Sequence, residues 1–294
     1  MSRRVPFLKG HGTGNDFVLL PDPSGALDLR ADDVALLCDR HRGLGADGVI
    51  RIAPSTTSSI SGDSASSHGT SWFMDYRNAD GSLAEMCGNG ARVFLRALQV
   101  LDFVGPNAGC SVETRGGVVH VEPRPDGRIA VAMGHAGPFA VPGATSEGIE
   151  VSTSGGRWSA IAVQAPNPHA VVLLPGGVHL EGVDDLAAVG DLRDPPEIYP
   201  AFPAGANVEF VVRLADGSVR MRVHERGVGE TRACGTGACA VAWTVLGPPR
   251  PGRETWMLRV HQPGGMVDVE MARDGSLTLV GEATIVAEGT VVLP

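Results

Sequence analysis

The amino-acid sequence predicts a mixed, strand-dominated fold built in two similar halves, and three observations carry that prediction. The chain has 294 residues, which at roughly 150 residues per domain suggests two domains. Short β-like runs punctuated by glycine outnumber helical patterns along its length. A cysteine motif also recurs: Met86-Cys87-Gly88-Asn89-Gly90-Ala91 returns as Ala233-Cys234-Gly235-Thr236-Gly237-Ala238, 147 residues later, half the chain. A fainter echo, offset by 152, joins Asn15-Asp16-Phe17-Val18-Leu19-Leu20 to Asn167-Pro168-His169-Ala170-Val171-Val172.

Taken in order, the β-like runs include 16–20, 117–121, 129–133, 160–163, 208–212, 219–223 and 257–260. The helical candidates are 32–39, 90–101 and 237–246, each rich in Ala, Val and Leu after a helix-starting signal, and two of them follow the repeated cysteine. Residues 54–71 are Ser-rich, have little to bury and are predicted to form a mobile loop. Residues 191–206 carry four prolines and are predicted to form an irregular connector.

Composition excludes several function classes. A net charge of −9 and an aromatic content of 5% oppose the phosphate attraction and base stacking that nucleic-acid binding needs. The only lysine is Lys9, in a stretch with no other sign of catalysis, so a Schiff-base cofactor such as pyridoxal phosphate has no suitable anchor. No Gly-Lys-Ser/Thr exists for a phosphate-binding loop. Five cysteines, an odd number, suit a reducing compartment, and the N-terminal stretch lacks an apolar leader. These features point to a cytoplasmic protein.

Each Cys-Gly-x-Gly places a sulfur and several backbone N–H groups at a helix start. Glycine allows close approach, and the N–H groups favour a carboxylate. The same field is expected to lower the pKa of the thiols of Cys87 and Cys234. Two copies flanking one carboxylate could remove a proton from one face of the adjacent carbon and return one to the other. That is two-base racemisation, helped by donors aimed at the enolate-like carboxylate. The plainer reading of one Cys-Gly is a small buried hydrophobe beside a turn; repetition argues against it. Cys38, Cys110 and Cys239 lack the motif and read as structural, and Cys234-x4-Cys239 does not have the usual zinc spacing, so no metal is expected. Around the motifs, His224 to Thr231 concentrates charge, Asn167-Pro168-His169 sets an imidazole beside a turn, and Tyr76 to Gly81 has turn composition with Asn78 inside it.

These residues resemble the cofactor-independent diaminopimelate epimerases over nearly the whole chain. The resemblance rests on seven blocks in order: Gly10 to Phe17, Gly43 to Gly48, Arg77 to Ser82, Met86 to Arg92, Asn167-Pro168-His169, Asn207-Val208-Glu209, and Glu225 to Thr231 leading into Ala233 to Gly237. It implies interconversion of LL- and meso-diaminopimelate for lysine and peptidoglycan precursors, with Cys87 and Cys234 as the thiolate/thiol pair and no cofactor. It further implies a carboxylate cradle at Gly88, Asn89, Gly235 and Thr236. Asn15, Asn78, Asn167, Asn207, Glu225 and Arg226 match substrate-holding positions, and His169 and Glu225 match residues that assist proton transfer. Arg226 offers a bidentate fork for a second carboxylate. The chain departs from the family at Gly48, where glutamine is common.

The fold implied is α+β, two pseudo-symmetric domains, each a curled, mostly antiparallel sheet around a central helix, with the site in the interdomain cleft. The expected domains are 1–130 completed by 278–294, and 131–277, in a homodimer. Rival readings are a related racemase of another amino acid, such as histidine, and a non-catalytic thiol redox sensor using Cys87 and Cys234.

Overall fold

The computed structural model describes residues 2–57, 71–144, 148–179, 185–252 and 254–294, and most of the predicted mobile segment, 58–70, lies outside them. The chain divides into two compact units, 1–131 with 281–294, and 132–280. The fold is α+β.

In the first unit, strand Arg3–Gly12 pairs antiparallel with Asn15–Pro21 and with Thr284–Leu293, so the C-terminal strand closes onto the first. From Asn15–Pro21 the sheet continues parallel to Gly48–Pro54, antiparallel to Trp72–Asn78, parallel to Cys110–Thr114 and antiparallel to Gly117–Pro123. The second unit repeats this alternation. Gly156–Gln164 runs antiparallel to Pro168–His179, which is parallel to Asn207–Leu214. That strand is antiparallel to Val219–Glu225, which is parallel to Thr255–Gln262, itself antiparallel to Gly265–Ala272.

Three α-helices are present among the described residues: α1 (Ala31–Cys38), α2 (Gly88–Val100) and α3 (Gly235–Leu246). α2 packs against six strands of its unit and is buried almost all round, from Gly88 through Leu95 and at Ala97 and Leu98. α3 is buried in the same manner by five strands of its own unit. Helices enclosed on nearly all sides need neighbours all round, and the strands of each unit supply them. Phe17, Leu19, Ile50 and Phe94 are all fully enclosed in the first unit, and each such side chain contributes ~1.5–3 kcal/mol through burial.

Both cysteine-linked helices begin at the glycine directly after the cysteine, two residues before the expected starts at 90 and 237. The intrinsic cost of helical glycine is overridden because the cysteine caps the helix. The connector 191–206 also contains a short strand, Glu197–Tyr199, which pairs antiparallel with Ile149–Thr153 and lies before Pro200.

Candidate active site

Cys87 and Cys234 are the N-cap residues of α2 and α3, in nearly the same extended backbone conformation: φ −138°, ψ 117° and φ −126°, ψ 117°. Each sulfur accepts the backbone N–H three residues on, from Gly90 at 3.4 Å and from Gly237 at 3.3 Å. The side chain thereby takes the role Ser or Asp usually has at a cap, and the first N–H groups of each helix converge beside it.

In the first unit, Cys87 Sγ lies 3.6 Å from Asn15 Oδ1, and Asn89 Nδ2 donates to the same oxygen at 3.4 Å. Asn15 is held in turn by Asp47, whose Oδ2 accepts from Asn15 Nδ2 at 2.8 Å. Arg92, fully buried, donates to Asn89 Oδ1 at 2.8 Å and to Thr13 Oγ1 at 2.7 Å. Asn89 is therefore locked by its own helix, and its backbone rather than its amide is the part suited to cradle a ligand. Asn78, at the end of its strand, donates to Ser82 Oγ at 3.0 Å and pairs in register with Gly48. A Cβ at Gly48 would come within 2.6 Å of the Arg77 carbonyl oxygen and 2.7 Å of the Tyr76 ring. A side chain at position 48 has no room, because the Arg77 carbonyl oxygen and the Tyr76 ring occupy the space.

In the second unit, Cys234 is buried and its N–H donates to Gln262 Oε1 at 2.8 Å. Its sulfur lies 3.4 Å from Thr236 Oγ1, and the Glu225 carboxyl group is near enough to act on it electrostatically. Thr231 also donates its hydroxyl to Glu225. His169 and Glu209 are both fully buried, with Nδ1 and Oε1 2.7 Å apart, and His169 Nε2 is 2.9 Å from Asn167 Oδ1. Buried Asn207 accepts the Arg226 N–H at 2.9 Å, while the exposed Arg226 side chain donates to the Ala204 carbonyl at 2.7 Å.

The electrostatics correct one expectation. Burial pushes the Cys234 thiol well above its ordinary pKa, and the Glu225 and Glu209 carboxylates push it further; the hydrogen bonds from Thr236 and the Gly237 N–H oppose this without reversing it. The lowering predicted for a thiol at a helix start is outweighed, because removal from water and two like charges exceed the pull of the helix dipole. Cys234 rests as a thiol, a proton donor. Glu225 is raised as well, first by burial and then by the Glu209 charge, with the Thr231 bond acting against these. Burial also lifts Cys38 and Cys110 to about 11.

Sequence reading singled out neither Glu209 nor Gln262. Glu209 was visible in principle: two residues after Asn207 on one strand, it shares that residue's face. Gln262 reaches Cys234 from 28 positions downstream, and no local pattern announces it.

The family model described as diaminopimelate epimerase matches residues 7–137 and 161–286. The chain is similar to the diaminopimelate epimerases of Streptomyces coelicolor (46% identity, 98% of this chain and 96% of that one) and Thermobifida fusca (46%, 97% of each). It is 41% identical to that of Corynebacterium glutamicum, over 99% of both. Among solved structures, the fold is shared with a hydroxyproline epimerase of Agrobacterium vitis (TM-score 0.64, 17% identity, 99% of this chain and 93% of that one). It is shared as well with a PhzF-family phenazine biosynthesis protein of Bacillus anthracis (TM-score 0.68, 15% identity, 99% and 100%). The chain belongs to the diaminopimelate epimerase family.

Proposed function

We propose that the protein interconverts LL- and meso-2,6-diaminopimelate, in lysine biosynthesis, by two-base proton transfer between Cys87 and Cys234. The observation that carries this reading is the pair of capping cysteines, each at the start of an enclosed helix with its sulfur on the third N–H. One sulfur, as thiolate, takes the α-proton; the electron pair left on carbon is delocalised into the carboxylate; the opposite thiol returns a proton to the other face. Backbone N–H groups of Gly88, Asn89, Gly235 and Thr236 stabilise the carboxylate as it gains charge. Cys234 enters as the thiol; once it has given its proton and Cys87 has taken the α-proton, Cys87 is the thiol and Cys234 the thiolate, the pair from which the reverse direction starts.

Asn15, Asn78, Asn167, Asn207 and Arg226 hold the substrate, with the Arg226 guanidinium on the distal carboxylate. No electron-sink cofactor takes part: Lys9, the only lysine, is engaged by Asp16 at 2.5 Å. Free thiols are kept reduced in a reducing compartment, which supports a cytoplasmic enzyme, and family resemblance supports a homodimer. Turnover across a panel of amino acids tests the substrate. LL-diaminopimelate is expected to react and monocarboxylic amino acids to fail, and Arg226→Ala should raise KM at least ~10-fold, the loss of one charge-assisted bidentate contact. Equal turnover of histidine would instead favour a racemase of another specificity.

A further inference from the structure

The two units share one pattern of strand pairing, so their positions can be matched through register. Phe17 lies two residues after Asn15 and pairs with Gly48; His169 lies two residues after Asn167 and pairs with Asn207. Two residues further along the neighbouring strands stand Ile50 and Glu209. The match extends to the helices: a Cβ at Gly90 would meet Ile50 Cδ1 at 3.1 Å, and one at Gly237 would meet Glu209 Oε1 at 2.7 Å. All four side chains are fully buried. At equivalent places under a capping cysteine, one unit has a Phe–Ile pair and the other a His–Glu pair.

The first unit demonstrates that this architecture is filled adequately by apolar residues. A buried charged pair is seldom a net stabiliser compared with apolar residues of similar volume, so packing does not account for the polar pair beneath Cys234. Its hydrogen bonds do. An ionised carboxylate and an amide oxygen both only accept, so the ring that meets Glu209 Oε1 through Nδ1 and Asn167 Oδ1 through Nε2 donates from both nitrogens. The second carboxylate oxygen, Glu209 Oε2, has no hydrogen-bond partner among the described residues, so the His169 bond is the side-chain contact that holds Glu209.

We propose that Glu209 is a positioning residue for the epimerisation: it anchors His169 through Nδ1 so that Nε2 holds the Asn167 amide in one orientation beside the Cys234 helix. This rests on the functional reading above. The arrangement is that of an orienting carboxylate behind a working histidine, in which loss of the carboxylate leaves the geometry of the fold intact but costs turnover.

Ring 15N spectra of the wild-type protein and kinetics of Glu209→Gln, His169→Gln, the double variant and the apolar pair His169→Phe/Glu209→Ile test it. The wild type should show a persistent Nδ1–H on His169 that shifts in Glu209→Gln. Glu209→Gln should lower kcat about 10- to 100-fold with KM within about 3-fold, and should add no further loss on the His169→Gln background. The apolar pair should fold with an unchanged melting temperature and still lose turnover. Wild-type kcat in Glu209→Gln, independent losses that multiply in the double variant, or a bare Nδ1 in the wild type would each overturn the proposal. Wild-type protein inert toward LL-diaminopimelate would instead overturn the functional reading, whatever the spectrum shows. If Glu209→Gln fails to fold, the wild-type spectrum and the apolar pair decide.

Discussion

A thiol that caps a helix and also lies against two carboxylates is pulled in opposite directions, and at Cys234 burial and the carboxylates win. The consequence is measurable at single residues. At pH 8, Cys38 and Cys110, both lifted to about 11, and Cys234 should all resist iodoacetamide in the substrate-free protein, since the thiolate is the nucleophile. Mass spectrometry of the alkylated peptides checks this, and rapid labelling of Cys234 would contradict the charge balance described here. The glycines after the cysteines give a second test. At Gly237 an added Cβ meets Glu209 Oε1 at 2.7 Å, an atom fixed by His169; at Gly90 its nearest neighbour is the end of Ile50 at 3.1 Å. Gly237→Ala should therefore cost ~1–3 kcal/mol by overpacking, and Gly90→Ala less, by denaturant titration. Much of this site was legible before the structure. Cysteine followed by Gly-x-Gly announces a cap and a close approach, because few other sequences need both. Gln262 was not, since its importance depends on which strand comes to lie beside Cys234; Glu209 was visible beside Asn207, but its pairing with His169 on the neighbouring strand was not.

At the scale of elements, the helices show where local sequence misleads. Glycine argues against a helix, so the starts are expected at 90 and 237, yet the capping sulfur brings them forward to 88 and 235. The proline-rich connector likewise carries a strand, because three extended residues, Glu197 to Tyr199, suffice to extend a sheet edge. Ion pairs join elements that hydrophobic pattern does not. Asp16 links its strand to Arg40 and Lys9; burial alone would raise its carboxyl group, but those partners bring it down to about 2. Asp33 on α1 is raised by burial and lowered more by Arg30 and Arg3, also to about 2. Both folded-state values lie below the ordinary 3.8. The stability they contribute is present above that value and is lost as pH falls from about 4 towards 2. Thermal melts should thus shift down across that window in the wild type, and Asp16→Asn should flatten the dependence. A melting temperature independent of pH between 4 and 2 would contradict this.

Over the whole molecule, a repeated architecture carries two different chemistries. The same alternation of antiparallel and parallel pairings builds each unit around one capped helix, which is why a six-residue repeat and a fainter asparagine echo were enough to suggest two halves. The echo already sets Phe17 against His169; what it could not indicate is the divergence on the neighbouring strands, Ile50 in one unit and Glu209 in the other. Strands pair through backbone groups that every residue supplies, so side chains are free to diverge where chemistry differs. The function proposed needs both halves, since inversion at carbon takes a base and an acid. NMR of LL-diaminopimelate incubated in D2O with the reduced protein tests this most directly, alongside Cys87→Ala and Cys234→Ala. The account predicts meso product bearing deuterium at the α-carbon with the wild type and no epimerisation with either variant. Formation of meso product by either single variant would contradict it.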